Sequence, residues 1–409
     1  MDAAGRREVI EKLCSFRGRW PGTDAERRAA NWLAERLRSM GRRADVEPTY
    51  VHPEYSLVLA LHLVLAVGGG LLALAFAPAG FALVLLAATS FYLDQNTRLY
   101  ILRRLFFRRT SQNVVSPGSN PAAPARLVLS AHYDAAKTGL VFSPRSTIAA
   151  RRLTERWRLL LGPMRLMFWV CIVPLLLIAG LRMAGIDAPW LDVAQLMPTF
   201  GGLIGIGLLV DIAFSRVVPG AYDNASGVAG VLAAAAALDE DPPANLDVWI
   251  VFPGAEEANA EGMARWFAAH RKEIDPERTF FLNLDSLSYG HPHYLVSEGA
   301  VVSYRMDRRL LQLCEAVAEA EPELAARPVR IPFHSDALPA TARGFRATSI
   351  LGLEEGVGPP WYHNHGDAPD KLDDTALDRC VVFTVSLVRA LDRDIARQSL
   401  PAPEPAHRV

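Results

Sequence analysis

Several features are scarce in this sequence of 409 residues, and each scarcity excludes a class of protein. The four cysteines form no Cys-x-x-Cys pair, so neither a disulfide scaffold nor a cysteine-type zinc site is expected. Lysine is nearly absent. Arginine supplies most of the 43 basic residues, and the net charge of −1 lacks the positive excess of a nucleic-acid-binding protein. Charged residues make up only 21%, against 51% apolar, which excludes a disordered chain and points to a membrane.

A long stretch without charge lies near the beginning of the chain. No charged side chain occurs from residue 55 to residue 93. At about 1.5 Å per residue this stretch gives roughly 58 Å of helix, close to two crossings of a ~30 Å hydrocarbon core. We expect the turn between the crossings at Pro78 and Gly80. A buried hairpin in a soluble core is the alternative, but charge-free runs of this length are rare in soluble cores.

A second apolar region, about residues 160–214, predicts another helical hairpin. Its charge-free runs, 166–181 and 193–210, are separated by a short polar link, which gives four crossings in all. His62 and Asp211 in these regions raise the alternative of a transport pathway, which we rank below hydrogen bonding within the bundle and at the interface. Arginines flank both hairpins on the side of the polar domain, and the positive-inside rule then places that domain on the cytoplasmic face. These arginines are Arg98, Arg103, Arg104, Arg108, Arg109, Arg151, Arg152, Arg156, Arg158, Arg165 and Arg216.

The remaining sequence has the pattern of an α/β domain. A capping box from Thr23 to Glu26, an apolar stripe and Gly41 predict a helix over residues 22–41. Alternation of strands with helices predicts a mostly parallel sheet with helices on both faces. Strands are predicted at residues 127–131, 248–252, 280–284 and 348–353. Further helices are predicted at residues 227–238, 262–271, 304–320 and 374–398.

Imidazole and carboxylate side chains follow these predicted strands or lie in nearby loops. Each motif alone is weak, because a His-x-Asp turn or a pair of glutamates is usually an ordinary surface feature. In an open α/β sheet, however, the loops at the carboxyl ends of the strands converge on one crevice. Such a ligand set suits zinc or a similar divalent ion, and two metals would need one bridging carboxylate. The residues are His132, Asp134, Asp223, Glu256, Glu257, Asp285, His363 and His365.

Together these motifs resemble the di-zinc aminopeptidases of metallopeptidase family twenty-eight, which also has glutamate carboxypeptidase-like and glutaminyl cyclase members. The similarity covers FRGRWPGTDAERRAANWLAERLRSMGRRADVE, NVVSPG, LVLSAHYDA, AYDNASGVAG, GAEE, NLDS, HSD and YHNHGDAPDKLD, in the family's order. The two apolar hairpins fall outside it as insertions. His132 lies between the hairpins and the other ligands follow both. Each insertion must therefore cross the membrane an even number of times.

The resemblance implies a metal ligand at five positions. Asp223 would bridge two zinc ions. His132 and Asp285 would complete one zinc site, and Glu257 and His363 the other. The stretch YHNHGDAPDKLD matches the family pattern with His363 as the ligand, although its neighbour two residues on remains an alternative.

The resemblance also implies the catalytic residues and the reaction. Glu256 would be the general base and acid, and Asp134 would orient His132 by accepting a hydrogen bond from its other ring N–H. We therefore expect a membrane-anchored, zinc-dependent exopeptidase. An aminopeptidase that hydrolyses N-terminal peptide bonds through a metal-bound hydroxide is the favoured form. After the two glutamates the sequence departs from the family's glycine-containing pattern, with Asn259 at the turn, so the substrate preference stays open.

Two other functions remain as alternatives. One is a carboxypeptidase-type or glutaminyl cyclase-like reaction on the same scaffold, and metal stoichiometry separates the cyclase from a two-zinc site. The other is a non-enzymatic membrane receptor or transporter. A peptide substrate and the lipid bilayer are the expected partners, with no nucleic acid, and the oligomeric state is left open. The peptidase domain is predicted at residues 1–54, 97–158 and 216–398, the hairpins at 55–96 and 159–215, and a disordered tail at 399–409.

Overall fold

The fold is taken from a computed structural model, which describes residues 1–143, 145–146 and 162–397. Several sequence predictions lie outside the described residues. These are the flanking arginines Arg151, Arg152, Arg156 and Arg158, the boundary between residues 158 and 159, and the tail at 399–409.

Nine strands form one sheet. Its order is β1-β2-β4-β3-β5-β9-β6-β7, and β8 pairs with β6. The strands are β1 (Asp45–Val51), β2 (Arg109–Ser116), β3 (Ala125–Ser130), β4 (Leu246–Phe252), β5 (Thr279–Asp285), β6 (His291–Glu298), β7 (Tyr304–Arg305), β8 (Arg327–Arg330) and β9 (Arg346–Leu353).

The sheet is parallel at its centre and antiparallel beside it. β4, β3, β5 and β9 run parallel, which suits their nearly continuous burial. β2 joins β4 antiparallel, and β9 joins β6 antiparallel. The α/β prediction is therefore confirmed. The predicted mostly parallel pairing holds for the central strands, and the sheet as a whole is mixed.

Helices cover both faces of the sheet. Alternate strand residues point to opposite faces, so Leu127 and Leu129 pack into one core while Val128 packs into the other. The first core contains α1, α2, α7, α9 and α11, and the second contains α8 and α10. These helices are α1 (Ala3–Ser15), α2 (Asp24–Ser39), α7 (Gly227–Glu240), α8 (Glu261–His270), α9 (Arg308–Ala320), α10 (Ala337–Thr341) and α11 (Asp374–Arg397).

One helix begins later than the sequence predicted. The run 304–320 was expected to be helical throughout, but Tyr304–Arg305 pairs with β6 as a short strand. The helix begins only at Arg308, where the Asp307 carboxylate accepts a hydrogen bond from the Leu310 amide at 3.0 Å. An N-cap aspartate of this kind fixes the helix start more strongly than the apolar pattern does.

Four further helices are long and apolar enough to cross a membrane: α3 (Tyr55–Leu72), α4 (Ala77–Gln95), α5 (Pro163–Met183) and α6 (Pro189–Phe214). They pack as one bundle. The turn between α3 and α4 lies at residues 73–76 rather than at Pro78 and Gly80, which the helix α4 includes. Proline is accepted there because the first helical turn has no intrahelical partner for a backbone N–H.

Small residues and one buried histidine fill the contact between α3 and α4. A Cβ atom on Gly80 would lie 2.5 Å from the Gly69 carbonyl oxygen, so glycine is required for this approach. Nδ1 of His62 lies 2.7 Å from the Val58 carbonyl oxygen, and Nε2 lies 2.9 Å from the Ser90 hydroxyl. Both ring nitrogens are thus engaged within the hairpin. This arrangement supports the structural reading of His62 over a transport pathway.

Candidate metal centre and active site

The predicted site residues meet at the carboxyl end of the parallel strands. His132 follows β3, Glu256 and Glu257 follow β4, and Asp285 is the last residue of β5. The remaining two residues come from loops beside this edge. Asp223 lies just before α7, and His363 follows β9. Parallel strands bring these positions together although up to 231 residues separate them in sequence (363 − 132).

Asp223 lies between two histidines. Its Oδ1 atom is 3.2 Å from Nε2 of His132, and its Oδ2 atom is 2.9 Å from Nε2 of His363. Nε2 of His363 is also 3.7 Å from Oε2 of Glu257. Each carboxylate oxygen thus faces a different imidazole, which is the arrangement expected of a ligand that bridges two cation positions.

The chemistry of the buried atoms fits a divalent cation. His132, Asp223 and Glu257 offer ligand atoms that all lie within 4.8 Å of one another. Neither ring nitrogen of His132 has a properly aligned hydrogen bond to any described residue, and Oε1 of Glu257 has none either. Buried polar atoms are normally hydrogen-bonded, so such atoms converging on one point are typical of metal ligands.

Asp134 positions the two glutamates as well as His132. Its Oδ1 accepts a hydrogen bond from the Glu256 amide at 3.1 Å, and its Oδ2 accepts one from the Glu257 amide at 3.0 Å. The distance from Oδ1 to Nδ1 of His132 is 3.4 Å. The sequence predicted only the contact with His132. The structure shows that the aligned hydrogen bonds of Asp134 go to the loop of the glutamates.

Asn224 places Asp223 beside the end of β5. Its side-chain oxygen accepts hydrogen bonds from the amides of Gly227 and Ser286, both at 2.9 Å. Its side-chain nitrogen donates to the Leu284 carbonyl at 3.0 Å. The residues on either side of Asp285 are thereby tied to the neighbour of Asp223, so the two predicted ligands share one rigid support.

The loop after β9 brings His363, rather than His365, to the site. The His363 side chain is 15% exposed and its ring packs edge-on against Phe142, whereas His365 is exposed.

Asp367 lies in the same loop and was not predicted as a site residue. Its carboxylate accepts hydrogen bonds from the amides of Tyr222 (2.6 Å) and Asp223 (3.1 Å), and so holds the predicted bridging residue from behind.

Crowding of carboxylates perturbs the pKa values at the site. Burial, reinforced by neighbouring carboxylates, raises the pKa of Glu256 and Glu257 well above the usual range, and raises that of Asp285 to about 6. Burial alone would lower the pKa of His132, but the carboxylates around it raise that pKa well above its ordinary value. So many buried acids in one place are costly unless protons or cations balance them, and a divalent cation would do so.

Two further side chains support the loop of the glutamates, and sequence reasoning did not assign them this role. The buried carboxylate of Glu26 accepts hydrogen bonds from the Ala255 amide at 3.2 Å and the Ser111 hydroxyl at 2.6 Å. The capping-box pattern had identified Glu26 only as a helix-start residue. On the other side of the loop, Arg103 donates to the Ala258 carbonyl at 2.7 Å. Arg103 had been counted only as a charge flanking the membrane.

Comparison with known proteins relates part of the chain to a peptidase family. Residues 210–388 match the model of peptidase family M28. This span contains five of the site residues, Asp223, Glu256, Glu257, Asp285 and His363. This part of the chain is therefore similar to the M28 peptidases. The mixed α/β fold resembles that of a solved Zn-dependent exopeptidase. No curated protein matches the sequence.

Several solved structures share this fold at low sequence identity. A glutaminyl cyclase from Bacteroides thetaiotaomicron, solved with N-acetylhistamine, is 14% identical with a TM-score of 0.54, and the match covers 95% of this chain and 97% of that one. The LapA aminopeptidase of Legionella pneumophila is 12% identical with a TM-score of 0.53, over 96% and 72% of the two chains. A Zn-dependent exopeptidase from Parabacteroides distasonis is 12% identical with a TM-score of 0.52, over 96% and 97%.

Proposed function

We propose that this chain is a peptidase of family M28, and that it is a membrane-anchored aminopeptidase that holds two zinc ions. The observation that carries the proposal is the position of Asp223 between His132 and His363, with one carboxylate oxygen toward each ring. In this assignment Asp285 completes the zinc site of His132, and Glu257 completes that of His363. Zinc, when bound, polarises the scissile carbonyl and makes a water molecule acidic.

Glu256 is the general base and acid of the proposed reaction. Its side chain is 12% exposed, and Oε2 lies 3.9 Å from Nε2 of His132, so it borders the ligands while remaining open to the cleft. Asp134 holds the Glu256 amide and thereby sets the direction of the side chain. In this role Glu256 takes a proton from the attacking water and delivers it to the leaving amine.

We propose a multi-pass membrane location with the peptidase domain on the cytoplasmic side. Most large apolar side chains that are exposed in the described parts of the chain lie on α3–α6 or their connecting turns, as expected for helices that face lipid. Arg98, Arg103, Arg104 and Arg108 follow α4 on the side of the domain, and Arg165 lies near the start of α5 on that side. This distribution favours the cytoplasmic orientation.

A glutaminyl cyclase-like reaction is the second candidate. It is favoured by the likeness of the fold to glutaminyl cyclases from Bacteroides thetaiotaomicron and Porphyromonas gingivalis. The number of bound metals distinguishes the candidates, because we expect two zinc ions for the aminopeptidase and one for a cyclase.

The test combines zinc content per chain with turnover of the detergent-purified protein. A panel of aminoacyl reporter amides tests hydrolysis, and a peptide with N-terminal glutamine tests cyclisation. Two zinc equivalents, with hydrolysis that is lost in chelator and in Glu256→Gln, would support the proposal. One equivalent with cyclisation would favour the second candidate. Two retained zinc ions with neither reaction would favour a receptor or transporter role.

A further inference from the structure

A cavity of about 440 Å³ lies beside the end of the first hairpin, away from the zinc ligands. It opens between the residues just before α3, the segment that follows α4, and the helix α8. Its lining residues are His52, Tyr100, Arg104, Arg108 and Arg265. Three of these five side chains are arginines, and nothing in the proposed peptidase reaction uses them.

Positive charge is in excess around this cavity. Arg265 donates a 2.8 Å hydrogen bond to Glu261, which also pairs with the buried Arg103 at 3.1 Å. Arg103 is paired with Asp94 as well. Arg104 and Arg108 are exposed, and neither has a carboxylate partner among the described residues. These four guanidinium groups are balanced by only two carboxylates, those of Asp94 and Glu261. The described groups around the cavity therefore carry an excess of two positive charges.

Unused hydrogen-bond donors lie at the same place. The Tyr100 hydroxyl and Nε of Arg265 are both shielded from solvent, and neither forms a hydrogen bond within the described chain. The Arg103 guanidinium lies 4.5 Å from the Tyr100 ring centroid and fixes that ring from one side. Arginine guanidinium groups and a tyrosine hydroxyl are hydrogen-bond donors that suit the oxygen atoms of a phosphate ester.

Large apolar side chains project beside these arginines. Leu105 is 74% exposed and Phe107 is 88% exposed, and both lie between Arg104 and Arg108 in the segment RLFFR. This segment begins nine residues after α4 ends at Gln95 (104 − 95). Exposed leucine and phenylalanine next to arginine, close to a membrane-spanning helix, are typical of a segment at the lipid headgroup level.

We propose that this cavity binds the phosphate headgroup of an anionic membrane phospholipid, with Leu105 and Phe107 contacting the acyl region. The proposal rests on the membrane anchoring proposed above. The recognised chemistry is a phosphate ester anion. The two exposed apolar side chains favour a lipid over a soluble phosphate, because they extend the site toward the bilayer.

The site is joined to the active-site loop by side chains. Arg265 and Arg103 share Glu261, and Arg103 donates to the carbonyl of Ala258, which follows Glu257. A headgroup that attracts Arg265 changes the electrostatic environment of Glu261. The proposed headgroup site is therefore connected to this loop through Arg265, Glu261 and Arg103.

The experiment measures lipid binding to the full chain in detergent. Native mass spectrometry counts bound dihexanoyl phosphatidylglycerol, with dihexanoyl phosphatidylcholine and inorganic phosphate as separate arms. The variant Arg104→Gln/Arg108→Gln removes the two unpaired charges. The matched control is Arg43→Gln/Arg393→Gln, which removes two exposed arginines elsewhere on the domain. Leu105→Ser/Phe107→Ser tests the apolar contact separately.

Phosphatidylglycerol is expected to bind the wild type and the control in preference to phosphatidylcholine. Its affinity should fall by about tenfold or more in the Arg104/Arg108 variant. Equal binding of the two lipids, or no loss in that variant, would overturn the proposal. Effective displacement by inorganic phosphate, with no effect of the Leu105/Phe107 variant, would overturn the assignment to lipid. Zinc content and reporter hydrolysis of the same samples test the peptidase independently, and solubility without detergent would overturn the membrane anchoring.

Discussion

The guanidinium of Arg103 donates a 2.7 Å hydrogen bond to the carbonyl of Ala258, the residue directly after Glu257. The same guanidinium makes two hydrogen bonds to Asp94, at 2.9 and 2.6 Å, and Asp94 belongs to the last turn of α4. The Asp94 carbonyl in turn accepts a 2.9 Å hydrogen bond from the Asn259 side chain. The first apolar hairpin and the loop of Glu256 and Glu257 are thus joined by one buried network of hydrogen bonds.

Loss of this arginine is expected to destabilise the protein. In Arg103→Met the Asp94 and Glu261 carboxylates, which are fully buried, lose their shared guanidinium. Breaking a buried ion pair from one side costs about 3–5 kcal/mol, so the thermal unfolding midpoint in detergent should drop strongly. The matched control is Arg98→Met. Arg98 is exposed, and among the described residues its side chain forms only one long hydrogen bond, of 3.4 Å, to a carbonyl. Equal midpoints for the two variants would contradict the network's importance.

Substitutions of the two adjacent glutamates are expected to affect different properties, hydrolysis in one case and zinc content in the other. Glu256→Gln keeps the proposed ligands, so zinc content should remain while hydrolysis falls by roughly 10²–10⁴-fold, the usual contribution of a general acid–base. Glu257→Gln weakens a ligand beside His363, so zinc content itself should fall. Zinc analysis and initial rates on the same preparations provide the comparison. If Glu256→Gln lost zinc and Glu257→Gln kept it, the two roles would be reversed.

The close approach of α3 and α4 gives a test of the first hairpin. In Gly80→Ala the new Cβ atom would lie 2.5 Å from both the Ala73 nitrogen and the Gly69 oxygen, and backbone atoms cannot move aside cheaply. We expect a loss of about 1–3 kcal/mol, seen as a lower unfolding midpoint in detergent. Gly68→Ala is the control, because a Cβ there meets nothing within 4 Å. A Gly80 variant as stable as the Gly68 variant would argue against the close helix contact.

The imidazole of His270 gives a pH test outside the metal centre. Hydrogen bonding to Glu47 raises the pKa of His270, burial opposes this, and Glu273 adds to the rise. The histidine therefore binds its proton more tightly in the folded state than in the unfolded chain. Its stabilising contribution is complete below about pH 6.5 and is lost as the pH rises through the raised pKa.

The measurement is the difference in unfolding midpoint between wild type and His270→Gln. That difference should be larger near about pH 6 than near about pH 9. His365→Gln serves as the control, because His365 is exposed and pairs with no carboxylate in the described regions. A difference that grows with pH would show that the proton is not held by Glu47 and Glu273.

Local sequence patterns predicted much of the fold, and the two strands discussed below were missed for the same physical reason. The buried strands β3, β4, β5 and β9 were predicted because all lie in apolar runs. β1 (DVEPTYV) and β2 (RTSQNVVS) were missed, because the edge strand is largely solvated and its neighbour is rich in polar residues. Their strand character depends on pairing with each other and with β4, which no local pattern records.

The side chains that position the site loops could not be predicted from the sequence for a similar reason. Three side chains, those of Glu26, Arg103 and Asp367, each form a hydrogen bond with a backbone group near a predicted ligand. The local sequence around each of them has another, common explanation. Glu26 occurs in a capping box, Arg103 in a basic segment, and Asp367 in a polar loop. Only the folded chain shows which backbone amide or carbonyl each side chain meets.

The sequence by itself determined the apolar spans, the α/β alternation and the set of chemical groups available for metal binding, because these depend on composition and short-range periodicity. The tertiary structure decided that Asp223 lies between His132 and His363, and that the first apolar hairpin is hydrogen-bonded to the loop of the glutamates. Such relationships join residues at least 91 positions apart (223 − 132), and their geometry exists only once the sheet and the helix bundle have packed.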